Sequence, residues 1–183
     1  MQDYRDLAQK NGITLLETGN CQFCGANTTR NIHECLEIFN LGFQFLDYSK
    51  KENHRYRFLS VDAHTLQHPE IHGRWSNHFH LTRQHLMFAY NVVWNYDLSP
   101  RLSDYLNVYK KGDPNEFLNP PEVLERGNIT TTHIIHNSKN EAECQQLVEG
   151  WGMEVYQSWN KHHHLVDHIA KGFINSGQFI TQR

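Results

Sequence analysis

Cysteine and histidine are the residue types best suited to chemistry in this chain. Its 183 residues include four cysteines and fourteen histidines. Cys21 and Cys24 form a C-x2-C pair that is followed directly by Gly25. Two thiolates at this spacing can face one metal ion, and the glycine lets the chain turn tightly around the sulfurs. The pair therefore predicts half of a tetrahedral metal site.

Three interpretations of the cysteine pair remain open at this level. A metal site needs further ligands, and the nearest additional thiol is Cys35. A redox dithiol would call for a βαβ context, which the sequence does not show. Unrelated buried thiols would pack as small hydrophobic residues. We favour metal binding, and we interpret Cys144, which lies in a polar stretch, as uninvolved.

Histidines at helical spacing provide candidates for the remaining ligands. His64 and His68 are four residues apart, as are His164 and His168. On a helix, each pair projects from one face. Because fourteen histidines produce such pairs by chance, we expect the second pair to face solvent.

Another set of polar residues indicates a pocket between helices. His80 follows Phe79, and His163 lies four residues after Trp159, so both fall on or beside apolar faces. A buried imidazole needs a partner, and a carboxylate bonded to a histidine is a common acid/base device. We therefore predict Asp62, His80 and His163 as candidate catalytic residues, in a pocket that could take a small-molecule ligand.

Several other functions lack local support. The chain has no G-x-S-x-G, P-loop or G-x-G-x-x-G motif. His68-Pro69-Glu70 matches the H-x-E of zinc deaminases, but the C-x2-C precedes it instead of following it. The formal charge of −3 argues against a surface for nucleic acid. No apolar run reaches the roughly 20 residues of a membrane span, and the N-terminus lacks signal-peptide features, so we expect a cytoplasmic protein.

The hydrophobic pattern predicts the elements that must position these residues. Apolar residues recur at steps of three and four in several segments, which indicates amphipathic helices. Four main helices are predicted, at about 31–48, 54–68, 76–96 and from 139 to about 170, with short helices at 3–10, 101–110 and near 130. Pro69 ends the second main helix, and Gly150 and Gly152 could kink the last one.

These elements predict an all-α protein, most simply a helical bundle of about four main helices with an N-terminal CxxC metal knuckle. We expect a single domain over residues 1–183. Within it, residues 1–30 form an N-terminal arm with the knuckle, and residues 31–183 form the bundle.

The motifs together resemble an uncharacterised family of small, mainly bacterial proteins of unknown function. The family signature includes C-x2-C-G, a further cysteine at a helix start, V-D-A-Y-x-x-Q-H-P, S-x-x-x-H-L, a P-P with L-T downstream, and W-x3-H-H. The matching residues span about 20 to 168. They are Cys21, Cys24, Gly25, Cys35, Asp62, Gln67, His68, Pro69, Ser76, His80, Leu81, Pro120, Pro121, Thr130, Trp159, His163 and His164.

The resemblance raises Cys35 and His68 above the other candidate ligands. The chain departs from the family pattern at His64, where the family has tyrosine, so His68 is the better ligand of that pair. We therefore predict one zinc ion, held by Cys21, Cys24, Cys35 and His68 and structural in role. The alternative is a metal-dependent hydrolase or transferase of the helical-bundle type that uses the pocket of Asp62, His80 and His163.

Overall fold

The structure is a computed structural model that describes residues 4–109 and 118–177. The described residues form helices and connecting turns, with one isolated bridge between Gly19 and Arg30 and no β-strand. Eight α-helices follow one another in these ranges: α1 (Tyr4–Lys10), α2 (Asn31–Leu41), α3 (His54–Gln67), α4 (Arg74–Ala89), α5 (Leu98–Tyr109), α6 (Thr131–Asn137), α7 (Glu141–Ser158) and α8 (His163–Asn175). The all-α class is confirmed, and the eight described helices compare with four main and three short predicted ones, because the last predicted helix is divided in two.

Two predicted helices end earlier than their apolar pattern. The helix predicted over 31–48 stops at Leu41, because Gly42 takes a positive φ of 74° and turns the chain. The helix predicted over 76–96 spans Arg74–Ala89.

The long C-terminal helix is divided in two. Helix α7 ends at Ser158, a 3₁₀ turn covers Asn160–His162, and α8 follows. Ser158 Oγ donates to Val155 O at 2.7 Å, a side-chain bond that competes with helix continuation. The break lets α7 pack on α3 while α8 packs on α4.

Helix α3 lies at the centre of the main core. It packs on both α4 and α7, and nearly every residue from Phe58 to Gln67 is buried. Trp151 and Trp159 pack beside it with fully buried rings, and their indole nitrogens donate to Gln67 Oε1 and Leu66 O. Because this helix is buried on most of its faces, its polar residues also lie inside, and its apolar residues do not form one distinct stripe.

Gln67 shows how one of these buried polar residues is accommodated. Its Nε2 donates to Arg126 O and Ile129 O, both at 3.0 Å, and its Oε1 accepts from Trp151 Nε1 at 2.9 Å. A buried amide with all these bonds avoids the desolvation cost of an unpaired group. Gln67 thereby joins the end of α3 to α7 and to the connection before α6.

A second, smaller core lies under the N-terminal arm. Helix α1 and the knuckle residues pack there against the start of α2 and Ile71. Arg126 links this region to the main body: its buried guanidinium pairs with Glu70 and donates to Phe23 O and Gln67 O, both at 3.2 Å. The arm is therefore held by apolar packing and by one multiply bonded arginine.

None of the helices in the described part of the chain combines the length and the apolar character needed to cross a bilayer.

The two glycines of α7 serve packing and do not kink the helix, which runs unbroken through both. A Cβ added to Gly152 would lie 3.2 Å from Leu59 Cδ2 and 3.3 Å from Phe88 Cζ. At Gly150 the nearest atom, Ile129 Cδ1, would be 3.4 Å away. Gly152 therefore allows α7 to approach α3 and α4 closely, whereas Gly150 has more room.

We expect Gly152→Leu to destabilise the protein by about 1–3 kcal/mol, because the added side chain must displace Leu59 and Phe88. The control is Gly150→Ala, which should be neutral or stabilise by up to about 1 kcal/mol through helix propensity. Urea denaturation followed by circular dichroism measures both. Equal stability of Gly152→Leu and the wild type would contradict the close approach.

Candidate metal centre

Four side chains from three parts of the chain meet at one buried point. Cys21 and Cys24 lie in the turns between α1 and α2, Cys35 lies in α2, and His68 directly follows α3. Their ligand atoms all lie within 4.8 Å of one another, and all four residues are buried. Within the described residues, this is the one group of cysteine, histidine and acidic side chains close enough to hold a metal ion.

The distances between neighbouring donors fit a small tetrahedral site. Cys21 Sγ and Cys35 Sγ lie 3.4 and 3.5 Å from His68 Nε2, and Cys24 Sγ lies 3.8 Å from Cys35 Sγ. Two sulfurs bonded to zinc at about 2.3 Å in tetrahedral geometry stand about 3.8 Å apart. The donors are therefore already close to the spacing that a bound ion requires.

The knuckle owes its shape to its own backbone bonds. Gly25, with φ of 71°, donates its N–H to Cys21 O at 2.8 Å, and Cys21 N donates to Ala26 O at 3.0 Å. These bonds fold the chain back so that both sulfurs point the same way. Asn31 fastens the loop to α2, because its side chain accepts from Gln22 N and donates to Asn20 O.

His68 is oriented by a bond on the far side of its ring. Its Nδ1 donates to His64 O at 2.6 Å, which leaves the Nε2 lone pair for the cluster. Metal-bound histidines commonly make this second bond, since it fixes the tautomer and the ring orientation. The helix end supplies both the carbonyl and the imidazole.

Electrostatics within the cluster favour negative sulfur beside a positive group. Hydrogen bonds from Cys24 and Cys35 lower the pKa of the Cys21 thiol, and His68 adds to the effect. The pKa of Cys35 is raised, because its thiol is hydrogen-bonded to the sulfurs of Cys21 and Cys24 and is buried. Burial alone would lower the pKa of His68, but the neighbouring sulfurs outweigh it and raise that pKa to about 10. A divalent cation would take the place of the protons held here.

The predicted pocket residues Asp62 and His80 do come together. His80 Nδ1 donates to Asp62 Oδ1 at 2.6 Å, and the carboxylate is fully buried. Arg83, one turn after His80 on α4, also binds Asp62 through Nε and Nη2. Its guanidinium in turn sits over the rings of Phe58 and Phe79. Burial lowers the pKa of His80 despite the nearby carboxylate, which favours the neutral form of the ring.

His163 makes no hydrogen bond or ring contact with Asp62 or His80; on α4 its ring contacts His85, with centroids 5.7 Å apart. Its Nε2 donates to Tyr156 O at 2.9 Å, and its ring stacks on Tyr156 with centroids 4.0 Å apart. The break between α7 and α8 turns His163 back onto α7, which explains the separation. Of the three residues, Asp62 and His80 are thus joined directly, whereas His163 is hydrogen-bonded to neither of them.

Sequence reasoning missed the partners of these residues. Arg83 could have been suspected, because it follows His80 by three residues on a helix, where the two side chains share a face. Arg126 and Asn31 carry no comparable signal, since Asn31 binds backbone groups in the preceding loop and Arg126 binds backbone groups and the Glu70 side chain more than 50 residues away. Their roles depend on the tertiary structure.

The chain belongs to a family of unknown function, DUF5946, whose profile matches residues 19–160. The match includes the four cluster residues together with Asp62 and His80 and ends before His163. No curated protein and no solved structure matches the chain. Membership of an uncharacterised family, expected from the motifs, is confirmed.

We expect Asp62→Asn to destabilise the fold by about 3–5 kcal/mol, because it leaves the buried Arg83 without its counter-ion. The matched control is Glu37→Gln, which removes the partner of Arg30 in an exposed ion pair and should cause no measurable change. Chemical denaturation of the two variants gives the comparison. Similar midpoints for both variants would show that Asp62 does not neutralise Arg83.

A pH dependence follows from His163, whose pKa is lowered by burial. The unfolded chain takes up a proton here below about pH 6.5 and the folded chain resists it, so stability falls as the pH drops from 6.5 towards 5. His163→Phe keeps a ring against Tyr156 and removes the titrating group. We expect its unfolding free energy to fall less steeply over this range than that of the wild type. Parallel curves would contradict the assignment.

Proposed function

We propose that this protein binds one zinc ion through Cys21, Cys24, Cys35 and His68, and that the ion holds the N-terminal arm on the helical body. The observation that carries the proposal is the convergence of these four buried donors within 4.8 Å. Their spacing matches tetrahedral coordination, and His68 already has the supporting bond of a metal ligand.

Zinc is the ion that best suits this donor set. Thiolates and imidazole are soft to borderline ligands that favour zinc over magnesium or calcium. Four protein donors fill a tetrahedral shell and leave no position for water, which is the pattern of structural sites. The same donor set thus supports a structural role over a catalytic one.

The position of the ligands explains what the ion would stabilise. Cys21 and Cys24 belong to the arm, whereas Cys35 and His68 belong to α2 and the end of α3. The arm contributes to a small core of its own, with few large apolar side chains. An ion bonded to the arm and to these helices would add to that limited packing and would cross-link the arm to the helical body.

The alternative of a metal-dependent hydrolase or transferase has less support. It requires an open metal position and a pocket shared by Asp62, His80 and His163. The four donors leave no open position, and His163 lies apart from the other two. Asp62 is also occupied by Arg83, so the Asp62–His80 pair is better explained as part of a buried ion-pair network.

We also propose a cytoplasmic location. Thiolate ligands must stay reduced, and the cytosol maintains reduced thiols. All four cysteines lie within the described residues and none is in a disulfide.

Elemental analysis of the purified protein should find about one zinc per chain. In Cys35→Ser the zinc content should fall well below one. The melting temperature should drop by about 10 °C, because at this chain length each 1 kcal/mol of lost unfolding free energy lowers it by about 2–4 °C. Cys144→Ser is the matched control: Cys144 is equally buried but lies outside the cluster, so this variant should retain its zinc.

Two results would contradict the proposal. One is a wild-type protein without stoichiometric metal whose melting temperature is unchanged by added zinc. The other is equal zinc content in Cys35→Ser and Cys144→Ser.

A further inference from the structure

A large cavity lies beside α2 and α3, the helices next to the cysteine and histidine cluster. It is open to solvent, has a volume of about 1130 Å³, and is bounded by α1, α2, α3 and the 3₁₀ turn Pro69–Ile71. One wall is apolar and is formed by Leu7, Leu36, Phe39, Val61 and Ile71. The volume is slightly above the range of about 300–1,000 Å³ that is typical of ligand pockets, so the cavity has room for a metabolite-sized molecule.

Three histidines line this cavity, and each has an unsatisfied nitrogen. His33, His64 and His72 all have a buried Nε2 with no hydrogen-bond partner among the described residues. His64 is the most enclosed of them, with 3% of its surface exposed. The Nε2 of His33 faces the Glu17 carboxylate at 3.7 Å, too far for a hydrogen bond.

Such a concentration of unpaired nitrogens needs an explanation. Buried polar groups in proteins are almost always bonded, and each exception is costly. Elsewhere around α3 the buried polar side chains of Asp62, Gln67 and His68 all have partners. Buried polar atoms without a hydrogen-bond partner also occur on Asn77, Thr82 and Gln84 of α4, but the three histidine nitrogens belong to residues that line one cavity, where a ligand would supply the missing partners.

The charge of the lining selects the kind of ligand. Arg5 and Arg30 are balanced by Glu17 and Glu37, so the cavity has no net charge from these residues. Burial lowers the pKa of His72 to about 3, so this ring is neutral at pH 7. A neutral imidazole offers one donor and one acceptor nitrogen, a pattern that the edges of nitrogen heterocycles match.

We propose that this cavity binds a neutral nitrogen heterocycle of nucleobase to nucleoside size, with His64 as a hydrogen-bonding contact and the apolar wall against its rings. The unpaired nitrogens are themselves inaccessible to water, while other atoms of the same residues line the cavity. Binding therefore requires the imidazoles to turn about χ2, a torsion with a broad profile.

His64 also connects the cavity to the cluster. Its ring stacks between those of Phe39, at 3.9 Å, and His68, at 4.2 Å, measured between centroids. A ligand on His64 would thus lie one ring away from a proposed zinc ligand. The cavity is nevertheless a separate site, because none of the four cluster residues lines it.

Titration calorimetry on the zinc-loaded full chain tests the proposal, with hypoxanthine and inosine as neutral probes and inosine 5′-monophosphate as the anionic comparison. We expect the neutral probes to bind and the monophosphate to bind more weakly. His64→Phe keeps the stacked ring and removes the nitrogens, so it should weaken binding about tenfold, as the loss of one bond to a buried group does. His64→Gln, which retains a polar Nε2, should recover part of the affinity.

A second measurement needs no ligand. His64→Phe removes an unsatisfied buried nitrogen, so its ligand-free melting temperature should rise by about 2–4 °C while its zinc content stays unchanged. The proposal is overturned if neither neutral probe binds, or if both bind His64→Phe as tightly as the wild type. If wild-type protein binds the probes but contains no zinc, the structural-zinc proposal is contradicted and the cavity proposal is not.

Discussion

Helix α3 carries polar side chains into the interior, and the need to satisfy them organises the rest of the molecule. Asp62 faces α4, where Arg83 and His80 bind it. Gln67 faces α7 and the connection before α6. His68 faces the knuckle and α2. Because each polar group would be costly without its partner, the neighbouring elements have little freedom in where they can lie.

The end of α3 is also the point where the two cores meet. Backbone groups of Gln67 and Phe23 both accept from Arg126, which pairs with Glu70 just beyond the helix. The cysteine cluster lies beside this junction. Apolar packing dominates in the main core, whereas in the arm a smaller apolar core is supplemented by the hydrogen bonds of one arginine. That division gives a bound metal a larger structural effect on the arm than on the bundle.

The sequence was most informative where short-range chemistry decides the outcome. The C-x2-C-G turn depends on local bonds and on a positive φ at Gly25, so its shape follows from adjacent residues. The all-α class and the end of α3 before Pro69 follow equally from periodicity and proline chemistry. That Cys35 and His68 complete the cluster came from resemblance to a family, because spacing alone cannot bring together residues that lie 33 positions apart.

Long-range packing accounts for what the sequence could not predict. The apolar stripe continues across the break through Val155, Trp159 and Val166, so periodicity alone predicts one helix where the chain forms two. His163 is the first residue of α8, so its contacts depend on where that helix begins, and it bonds to Tyr156 O on α7.

His64 illustrates the same principle from the opposite direction. Its spacing from His68 suggested a pair of metal ligands, yet in the folded chain its carbonyl orients His68, while its ring stacks on Phe39 and lines the cavity. Two side chains four residues apart on a helix lie on the same face, but the elements packed against that face can contact each of them differently. One position of α3 therefore orients His68 through its backbone carbonyl and lines the cavity with its side chain.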